Sequence, residues 1–560
     1  MTEPGPPALA IPRPRGVEWL ILLGYLALVA RRHWICEDAL ITFRYSWMLA
    51  HGHGVVFNAD MPPVDGYSDF LWVLIGAVFE AVNVPAWLAI DVVTVPAGLA
   101  LLLLFRHVAT AHLGASLDVA RLGMAALATF PAVLMWSTSG LEVMPQTLCY
   151  FAAAVGLAFA DDRRSLRWTA LAGIGLALLR TEGALWSPVL MALGAMVRAA
   201  EGRPIRQPLL RYGLAVLAAW AAWYAWRVGY YHTWVPNTVT AKSGLSAGTL
   251  ERGLRYVVYF VLLELPVLLA PLAWWAGLRA LPAARVAWLA LLCLGVPAWA
   301  ALVGGDYMYQ FRFLVPVVPF LAASAAVGWE ALKAARGPVT VAITGAVVVV
   351  ASWLSDPSIL LVPQRVALPF CIAMGELKSY DDVRVLRGAC AREGSGHGRN
   401  LRLEAYALGE FAEKGDRVVT GAVGNLGYFN PNIRLLDLCG LVTREVAIRE
   451  YEVEGDRRPG HDRCTGPGFF YAQHPEVLVF TTFHNPKDPA RVIARTVEQW
   501  AEKHAKKDYY PDFIRFEHPR YPGEVVYALG LRAGKGDAIE AGRRRFQEKL
   551  ARLQAAVDVP

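Results

Sequence analysis

The chain has 560 residues, of which 56% are hydrophobic and only 18% are charged, and its mean hydropathy is +0.36. Since a soluble globular chain carries about 25% charged residues, this composition argues against an ordinary soluble protein and indicates a membrane protein. The net charge of +7 fits basic cytoplasmic loops, so we expect no nucleic-acid partner.

Eleven apolar segments approach the length of about 20 residues that a helix needs to cross a bilayer. They lie at 17–33, 86–106, 120–138, 143–160, 167–180, 183–199, 211–230, 254–278, 284–303, 313–333 and 338–355. The first ends in "ARRHW" without a small-residue cleavage site, which indicates a retained span and not a removed signal peptide. We therefore predict a mainly α, polytopic helical membrane protein with about 11 transmembrane helices.

A further apolar run, "DFLWVLIGAVFEAV" at 69–82, decides the topology of everything after it. The basic loops between the segments share the side of the N-terminus only if 69–82 does not cross, and basic loops belong in the cytoplasm. We therefore predict that 69–82 is a helix that lies against the outer leaflet or dips into it. The predicted outer segments are then 34–85, 139–142, 180–183, 231–252, 304–312 and the chain from about 356.

The chain changes character after the last apolar segment. "RVVTGAVGNLGYFNPNIRLLDLCGLV" and "PEVLVFTTF" alternate β-branched or aromatic runs with turn residues, as strands do, and "DPARVIARTVEQWAEKHAKK" has helical spacing. We predict a transmembrane catalytic domain at 1–355 and a soluble extracytoplasmic α/β domain at 356–560.

Seven cysteines divide between these two parts. Cys36, Cys149 and Cys293 fall in or beside apolar segments, whereas Cys371, Cys390, Cys439 and Cys464 fall in the C-terminal part. The latter four allow three pairings, and disulfides are plausible if that part lies outside the cytoplasm. No CxxC or Cys/His spacing typical of structural zinc occurs.

Two adjacent acids, Glu37 and Asp38, interrupt the apolar sequence in "WICEDALITFRYSW", directly after the first segment. Ionisable acids at a membrane surface indicate a functional site, and a carboxylate partly shielded from water can serve as a general base. The alternatives are a solvated loop or an ion pair with Arg44, six residues after Asp38.

The other predicted outer loops also carry polar residues beside helix ends. They are Asp65, Tyr67 and Asp69 in "VDGYSDFLW", Glu142 in "SGLE", Arg180 and Glu182 in "LLRTEG", Asn237 and Lys242 in "PNTVTAK", and Asp306 and Arg312 in "GGDYMYQFRFLVP". Singly, each has a structural interpretation: an aromatic belt, a turn with its own ion pair, or a cation that anchors a helix. Together they place acids and cations on one side, which suits acid–base chemistry on a lipid phosphate.

The order of these motifs resembles the GT-C superfamily of membrane glycosyltransferases. It is most similar to the mycobacterial terminal β-(1→2)-arabinofuranosyltransferase family, commonly called arabinofuranosyltransferase B. The resemblance runs from about 17 to 480 and also includes "GHGVVFN" and "LGYFNPNIRLLDLCGLV" with a later "GHD". The family's acidic pair is more often two aspartates and its Glu before Gly-Tyr is Asp65 here, so Glu37 is a departure that leaves open which acid is the base.

The resemblance implies an inverting transfer from a polyprenyl-phosphate sugar, decaprenyl-phosphoryl arabinofuranose above all, to a cell-envelope glycan such as arabinan. The expected place is the outer face of the bacterial cytoplasmic membrane, and the expected state is a monomer. The implied roles are general base for Asp38 or Glu37, donor phosphate binding for Lys242, Arg312, Asn237 and Arg44, and substrate binding for Asp65, Tyr67, Glu142, Asp306 and His461. His461 has the alternative of an ordinary domain histidine. A divalent metal (Mg²⁺, Mn²⁺ or Ca²⁺) on Glu37 and Asp38 would share the phosphate's charge.

Three alternatives remain open. The first is a GT-C enzyme that uses a different lipid-linked sugar or glycosylates a protein such as pilin. A secondary transporter predicts acids and helix breaks at mid-span with inverted repeats, whereas these acids lie at predicted helix ends and no repeat is evident. A non-catalytic assembly subunit would not need intact acids on the outer face.

Overall fold

The computed structural model describes residues 7–241, 246–264, 281–354, 397–449, 464–484, 488–504, 509–517, 524–532 and 541–548, and the single residues 369 and 551. Everything below refers to these residues. They form a helical bundle followed by a smaller mixed α/β part.

The bundle consists of helices whose bounds follow the predicted apolar segments closely. They are α1 Val17–Arg31, α2 Glu37–Ala50, α3 Phe70–Ala81, α4 Ala86–Ala89, α5 Asp91–Ala111, α6 Leu117–Thr129, α7 Pro131–Trp136, α8 Val143–Phe159, α9 Arg163–Leu179, α10 Gly183–Ala200, α11 Arg206–Tyr231, α12 Asn237–Ala241, α13 Ala247–Leu263, α14 Ala283–Leu302, a 3₁₀ helix at Tyr309–Val317, α15 Val318–Arg336 and α16 Pro338–Leu354. All eleven predicted segments contain helix, although 254–278 extends beyond the described residues.

Four helical stretches of the described residues are long and apolar enough to cross a membrane by length and composition. They are Ala86–Ala111, Gly183–Ala200, Ala283–Leu302 and Gln310–Arg336. The polytopic helical membrane class is therefore confirmed. The count of eleven crossings stays a prediction, because several of the other apolar helices have only 15 to 17 residues.

Tight helix contacts hold the bundle together where glycines face bulky neighbours. A Cβ added at Gly156 of α8 would lie 2.0 Å from Thr169 Oγ1 of α9. A Cβ at Gly173 of α9 would lie 2.3 Å from the Tyr212 ring of α11. Small residues let helices approach closely in membranes, where packing replaces the hydrophobic effect between helices.

The predicted outer loop 34–85 contains two helices. The acidic pair opens α2, so the alternative of a solvated loop at this position is wrong. Helix α3 has 12 residues, which is about 18 Å at 1.5 Å per residue and too short for a hydrocarbon core of about 30 Å. This length agrees with the prediction that 69–82 does not cross.

The C-terminal part is the predicted α/β domain. Its helices are α17 His397–Phe411, α18 Val423–Phe429, α19 Arg444–Ala447 and α20 Pro489–His504, with a 3₁₀ helix at Pro467–Gln473; its strands are β1 Arg417–Thr420, β2 Arg434–Asp437, β3 Val477–His484, β4 Tyr509–Glu517 and β5 Glu524–Arg532. The five strands form one mixed sheet in the order β2-β1-β3-β5-β4. Strand β1 is parallel to both β2 and β3, whereas β5 is antiparallel to β3 and β4.

A disulfide joins Cys439 and Cys464 in this part. Cys371 and Cys390 lie outside the described residues, as does the predicted boundary at 355 and 356, which stays a prediction. Cys36, Cys149 and Cys293 are free thiols.

The loops of the bundle gather at two opposite ends. At the end that we call the basic end, Arg285 binds Glu201 and the carbonyl oxygen of His112, while Lys333 donates to Ser116. At the other end, which we call the acidic end, α2 and the C-terminal part meet the remaining loops. The loops predicted to be inner and those predicted to be outer thus lie at opposite ends, as we expect from the distribution of basic residues among them.

Candidate functional site

Main-chain and tryptophan hydrogen bonds join the loops of the acidic end. The N–H of Cys36 donates to Ser139 O at 2.8 Å, and the N–H of Thr181 donates to Ser68 O at 3.1 Å. The indole of Trp72 donates to Gly140 O at 2.9 Å. Segments that are more than 100 residues apart in sequence therefore meet here, and the polar side chains they carry form one neighbourhood.

Asp38 lies in the first turn of α2 and faces the segment before α15. Its Oδ1 accepts a hydrogen bond from the Tyr307 hydroxyl at 3.1 Å, and its Oδ2 lies 3.6 Å from Arg312 Nη1. Arg312 in turn donates to both oxygens of Asp306, at 2.6 and 3.1 Å. The Asp38 side chain keeps 29% of its surface exposed, whereas Asp306 keeps 3%. Asp38 is thus the carboxylate of this group that a reactant can reach.

The chain before Arg312 has an uncommon conformation. Gln310 and Phe311 have φ values of 50° and 51°, in the left-handed region that residues other than glycine rarely adopt. The buried indole of Trp136 donates to Gln310 O at 3.3 Å. The Arg312 guanidinium also lies 5.8 Å from the Trp136 ring centroid. The surrounding contacts therefore hold Arg312 in place at the cost of local strain.

A cavity adjoins Arg312 between α8, α10, α14 and the 3₁₀ helix. Its lining includes Glu142, Arg180, Glu182, Arg312 and the aromatic side chains of Tyr150, Trp186, Trp299 and Phe313. Arg180 donates to Glu142 Oε1 at 3.0 Å and to Glu182 Oε1 at 2.8 Å. Glu142 is buried, and its Oε2 accepts no hydrogen bond within the described residues. The cavity therefore combines two guanidinium groups, a carboxylate oxygen with unused capacity, and aromatic walls.

Asp69 is a further buried acid, and it interacts electrostatically with Glu142 and Arg180. Both of its oxygens accept from the Thr42 hydroxyl, at 3.0 and 2.9 Å. Burial, together with the negative charge of Glu142, raises the pKa of Asp69 to about 8, although Thr42 and Arg180 oppose the shift. Burial and the neighbouring acid thus both disfavour the charged form of Asp69.

Glu37 points away from Asp38 and binds the C-terminal part. Its carboxylate accepts from the backbone N–H of Gly424 at 2.7 Å, from the N–H of Asn425 at 3.0 and 3.1 Å, and from the Asn425 side-chain amide. Burial raises the pKa of Glu37 to about 7, against these hydrogen bonds, which favour the charged form. The two acids of the motif thus have different environments.

Arg44 does not contact Asp38. Its Nε donates to Phe57 O, its Nη1 to Gly427 O and Asn430 O, and its Nη2 to Asn58 Oδ1 and Ile433 O. These contacts use all five N–H groups of a guanidinium. Burial lowers the pKa of Arg44 to about 9. The arrangement argues against the predicted phosphate-binding role, because no N–H group remains for a phosphate.

Asp65 and Asn237 form a second cluster, with an arginine that the motifs did not single out. Arg227 Nε donates to Asp65 Oδ2 at 2.8 Å, and the N–H of Asn237 donates to Asp65 Oδ1 at 3.0 Å. The Asn237 side-chain amide donates to Gly440 O and Leu441 O. Burial raises the pKa of Asp65, against the charge of Arg227. These contacts attach α12 to the C-terminal part, and Asp65 and Asn237 show no contact with Asp38.

Tyr67 belongs to the same second cluster. Its ring packs edge-on against Tyr45 and Tyr231, and its hydroxyl lies 3.2 Å from that of Tyr231. Only 6% of the residue is exposed. Tyr67 therefore packs against other side chains in this structure, which argues against the substrate-binding role that the resemblance implies.

Two predicted site residues, Lys242 and His461, lie outside the described residues, and their assignments stay predictions. For the predicted metal, Glu37 and Asp38 are engaged by different partners and do not converge, so this pair does not fit a shared ion. Among the described residues, no group of three or more His, Cys, Asp or Glu side chains has metal-ligand geometry.

Sequence reasoning missed Tyr307 and treated Arg180 as part of an ordinary turn. The Arg180–Glu182 ion pair predicted as that alternative is present, but Arg180 also binds Glu142 and lines the cavity. Tyr307 directly follows Asp306 in "GGDYMYQ", and its position inside a polar outer motif was the available signal.

The chain is similar to a protein family over part of its length and to solved structures over most of it. Residues 396–524 match a family described as a domain of unknown function, DUF8728. No curated protein matches the chain. ArnT from Cupriavidus metallidurans bound to undecaprenyl phosphate has a TM-score of 0.57 and 13% identity, over 92% of this chain and 98% of that one.

The apo state of the same ArnT gives a TM-score of 0.55 and 14% identity, over 91% of this chain and 97% of that one. The arabinofuranosyltransferase AftD from mycobacteria gives a TM-score of 0.44 and 13% identity, over 93% of this chain and 40% of that one. At identities this low, the likeness to ArnT shows a shared fold over nearly the whole of both chains.

Proposed function

We propose that this chain, which has the GT-C fold of ArnT, is an inverting glycosyltransferase that uses a polyprenyl-phosphate sugar. The observation that carries the proposal is the partly exposed Asp38 beside Arg312 and Tyr307, next to a cavity that contains a second arginine. The solved ArnT that shares this fold binds undecaprenyl phosphate, which supports the same class of donor lipid here.

Asp38 is the general base in the proposed reaction. Its carboxylate takes the proton of the acceptor hydroxyl as that oxygen attacks the anomeric carbon of the donor sugar. The bond between that carbon and the phosphate oxygen breaks through an oxocarbenium-like transition state, and the lipid phosphate leaves as an anion. Glu37 is the poorer candidate for the base, since hydrogen bonds from Gly424 and Asn425 occupy its carboxylate.

Arg312 and Arg180 are the proposed phosphate-binding groups. Both line the cavity, and a guanidinium fork matches the geometry of phosphate oxygens. Their carboxylate partners Asp306, Glu142 and Glu182 fix the direction of each fork. Lys242 is proposed as a third cation, from the motif resemblance alone. Such groups stabilise the charge that develops as the phosphate leaves.

Glu142 and Asp69 are the proposed contacts for sugar hydroxyls or acceptor. The unused Oε2 of Glu142 can accept a hydrogen bond from a sugar hydroxyl, and aromatic side chains line the cavity beside it. Such a site selects sugars that carry the matching hydroxyl group, because a sugar without this group leaves a buried hydrogen-bond acceptor unpaired.

Arabinofuranose from decaprenyl-phosphoryl arabinofuranose is the proposed sugar, with a cell-envelope arabinan as acceptor. The order of the sequence motifs supports this choice. The Cys439–Cys464 disulfide supports an extracytoplasmic C-terminal part, and hence a site on the outer face of the cytoplasmic membrane, because disulfides persist in oxidising compartments. A GT-C enzyme with a different lipid-linked sugar is the nearest alternative.

The test is a transfer assay with the full-length chain in detergent or liposomes. Decaprenyl-phosphoryl arabinofuranose is offered with arabinan oligosaccharides, in parallel with polyprenyl-phosphoryl hexoses and aminosugars and with a peptide acceptor. Transfer of arabinose alone supports the full proposal, and transfer of another sugar corrects the donor. The enzyme proposal fails if no lipid-linked sugar is consumed by folded protein.

A further inference from the structure

Helix α2 of the bundle and helix α18 of the C-terminal part are paired through opposite charges at matching ends. Glu37, the first residue of α2, meets the first turn of α18. Arg44, two turns later, meets one carbonyl oxygen in the last turn of α18, that of Gly427, and two that follow it. The two contacts lie on the same face of α2, because seven residues at 100° each return to within about 20°.

The Glu37 contacts satisfy backbone N–H groups that helix α18 cannot satisfy itself, whereas the carbonyl oxygens that Arg44 binds also accept from the backbone N–H groups of Asn430 and Ile433. The first N–H groups and the last carbonyl groups of a helix have no partner within it. The carboxylate of Glu37 accepts from the N–H groups of Gly424 and Asn425, and the guanidinium of Arg44 donates to Gly427 O and Asn430 O. Each charge also has the sign that the helix dipole favours at its end. These contacts therefore require this register of the two helices.

The same pairing determines where Asp38 points. Asp38 follows Glu37 directly and lies about 100° further round α2, on the side of Arg312 and Tyr307. A carboxylate lies roughly 6 Å from the helix axis, so a rotation of α2 by about 20° would move it by about 2 Å. A displacement of this size is enough to remove a base from its reactant.

We propose that Glu37 and Arg44 clamp α2 onto α18 and that this clamp positions Asp38, which makes Glu37 a positioning residue and the C-terminal part a component of the active site. The kinetic half of this inference rests on the proposed transferase function. The structural half does not, and it is measured separately.

The first measurement is hydrogen exchange at the amides of Gly424 and Asn425 in the full-length chain. Glu37→Gln removes the charge while keeping the size of the side chain, and the exchange of both amides is expected to accelerate at least tenfold. The matched control is Asp60→Asn, which removes an exposed ion pair with Arg434 between the same two regions. The control is expected to leave both amides protected.

The second measurement reports the direction of residue 38 without any turnover. Asp38→Cys introduces a thiol, and its rate of modification by a charged thiol reagent is compared with and without Glu37→Gln. The native free thiols are subtracted with a chain that lacks the Asp38→Cys change. A change of several-fold in the modification rate is expected, and an unchanged rate combined with faster amide exchange would overturn the positioning role.

The third measurement is kinetic. Glu37→Gln is expected to lower kcat about tenfold, with an unchanged KM for the lipid donor and an unchanged acid limb in the pH profile of kcat. Asn425→Ala is expected to have a similar effect, and the double variant is expected to be no worse than the more affected single variant. Loss of activity by more than a thousandfold in Glu37→Gln, with protected amides, would instead identify Glu37 as the base. If the wild-type chain transfers no sugar, the proposed function fails, while the first two measurements still decide the clamp.

Discussion

Both ends of the helical bundle carry many charged side chains, but the contacts of these side chains differ. At the basic end, Arg203 donates to Asp161 and Glu201, each at 2.9 Å, and Arg285 donates to Glu201 at 2.5 Å. Arg198 is fully buried and also binds Asp161. The charged side chains at this end bind each other and thereby connect the loops.

At the acidic end, the ion pairs leave carboxylate oxygens that can bind a reactant. Asp38 is partly exposed at 3.6 Å from Arg312, and Glu142 keeps one buried oxygen without a hydrogen bond within the described residues. Glu142 lines a cavity, and Arg312, which lies next to Asp38, lines the same cavity. The difference shows that the number of charges does not identify a site. The distinguishing features are a carboxylate with access to a reactant and a cavity beside it.

The largest effect is expected from Asp38→Asn, which tests this contrast most directly. General-base catalysis contributes about 10²- to 10⁴-fold, so kcat for sugar transfer should fall about a thousandfold, while the lipid donor still binds. The matched control is Glu201→Gln at the basic end, which should leave kcat within about twofold. A transfer rate above about a tenth of wild type in Asp38→Asn would remove Asp38 from the chemistry.

Arg312→Lys is expected to have the next largest effect. Lysine cannot make the two parallel hydrogen bonds to Asp306 or offer a fork to phosphate, so kcat/KM for the lipid donor should fall about 30- to 100-fold. Arg203→Lys removes a similar fork at the basic end and should change kcat/KM less than threefold. Equal losses in the two variants would contradict the distinction between the ends.

Glu142→Gln should have a smaller effect, of about tenfold in kcat/KM. The amide can still accept from Arg180, but its NH₂ group replaces the oxygen that we propose accepts a sugar hydroxyl, and a hydrogen bond to a charged group is worth about 1.5–3 kcal/mol. Glu182→Gln is the comparison, because Glu182 binds the same Arg180 and lines the same cavity. Steady-state kinetics that show a greater loss for Glu182→Gln would reassign the substrate contact.

The smallest effect on catalysis is expected from Glu18→Gln at the basic end. The buried Glu18 carboxylate binds both Arg106 and Arg121, so its neutralisation should cost about 1–3 kcal/mol of stability. Thermal unfolding in detergent should show a lower Tm, with kcat unchanged. Asp118→Asn is the control, since Asp118 forms only an exposed pair with Arg121 at 3.5 Å, and its Tm should not move. A fall in kcat for Glu18→Gln in fully folded protein would extend the functional region to this end.

The sequence correctly predicted that the outer loops lie at one end of the bundle. This prediction rests on the number of basic residues in each loop, which can be read from the loop's own sequence. Glu142, Asp306, Arg312 and Asp38 lie at one end of the bundle, as the count of crossings requires. The α/β character of the C-terminal part was also predictable, from alternating strands and the helical spacing of 489–504. Both inferences depend on patterns within short stretches of chain.

The partners of the polar side chains were not predictable in the same way. Asp38 and Arg44 are six residues apart, and the suggested ion pair between them requires a flexible loop. In a helix the two lie about 120° apart on different faces, whereas Arg44 lies within about 20° of Glu37. Likewise, the Asp65–Arg227 pair joins residues 162 positions apart, and nothing in either local sequence indicates the other.

The contact between Glu37 and Gly424 also has a consequence for how the protein is made, since 387 residues separate its two sides along the chain. At about 5–20 residues per second, the ribosome delivers the second side roughly 20 to 80 s after the first. During that interval α2 is already in the nascent chain, yet its two charges lack the backbone groups that they bind in the finished protein. The contacts between α2 and α18 therefore form late, and a chain truncated before residue 424 would carry Asp38 without the contacts that we propose direct it.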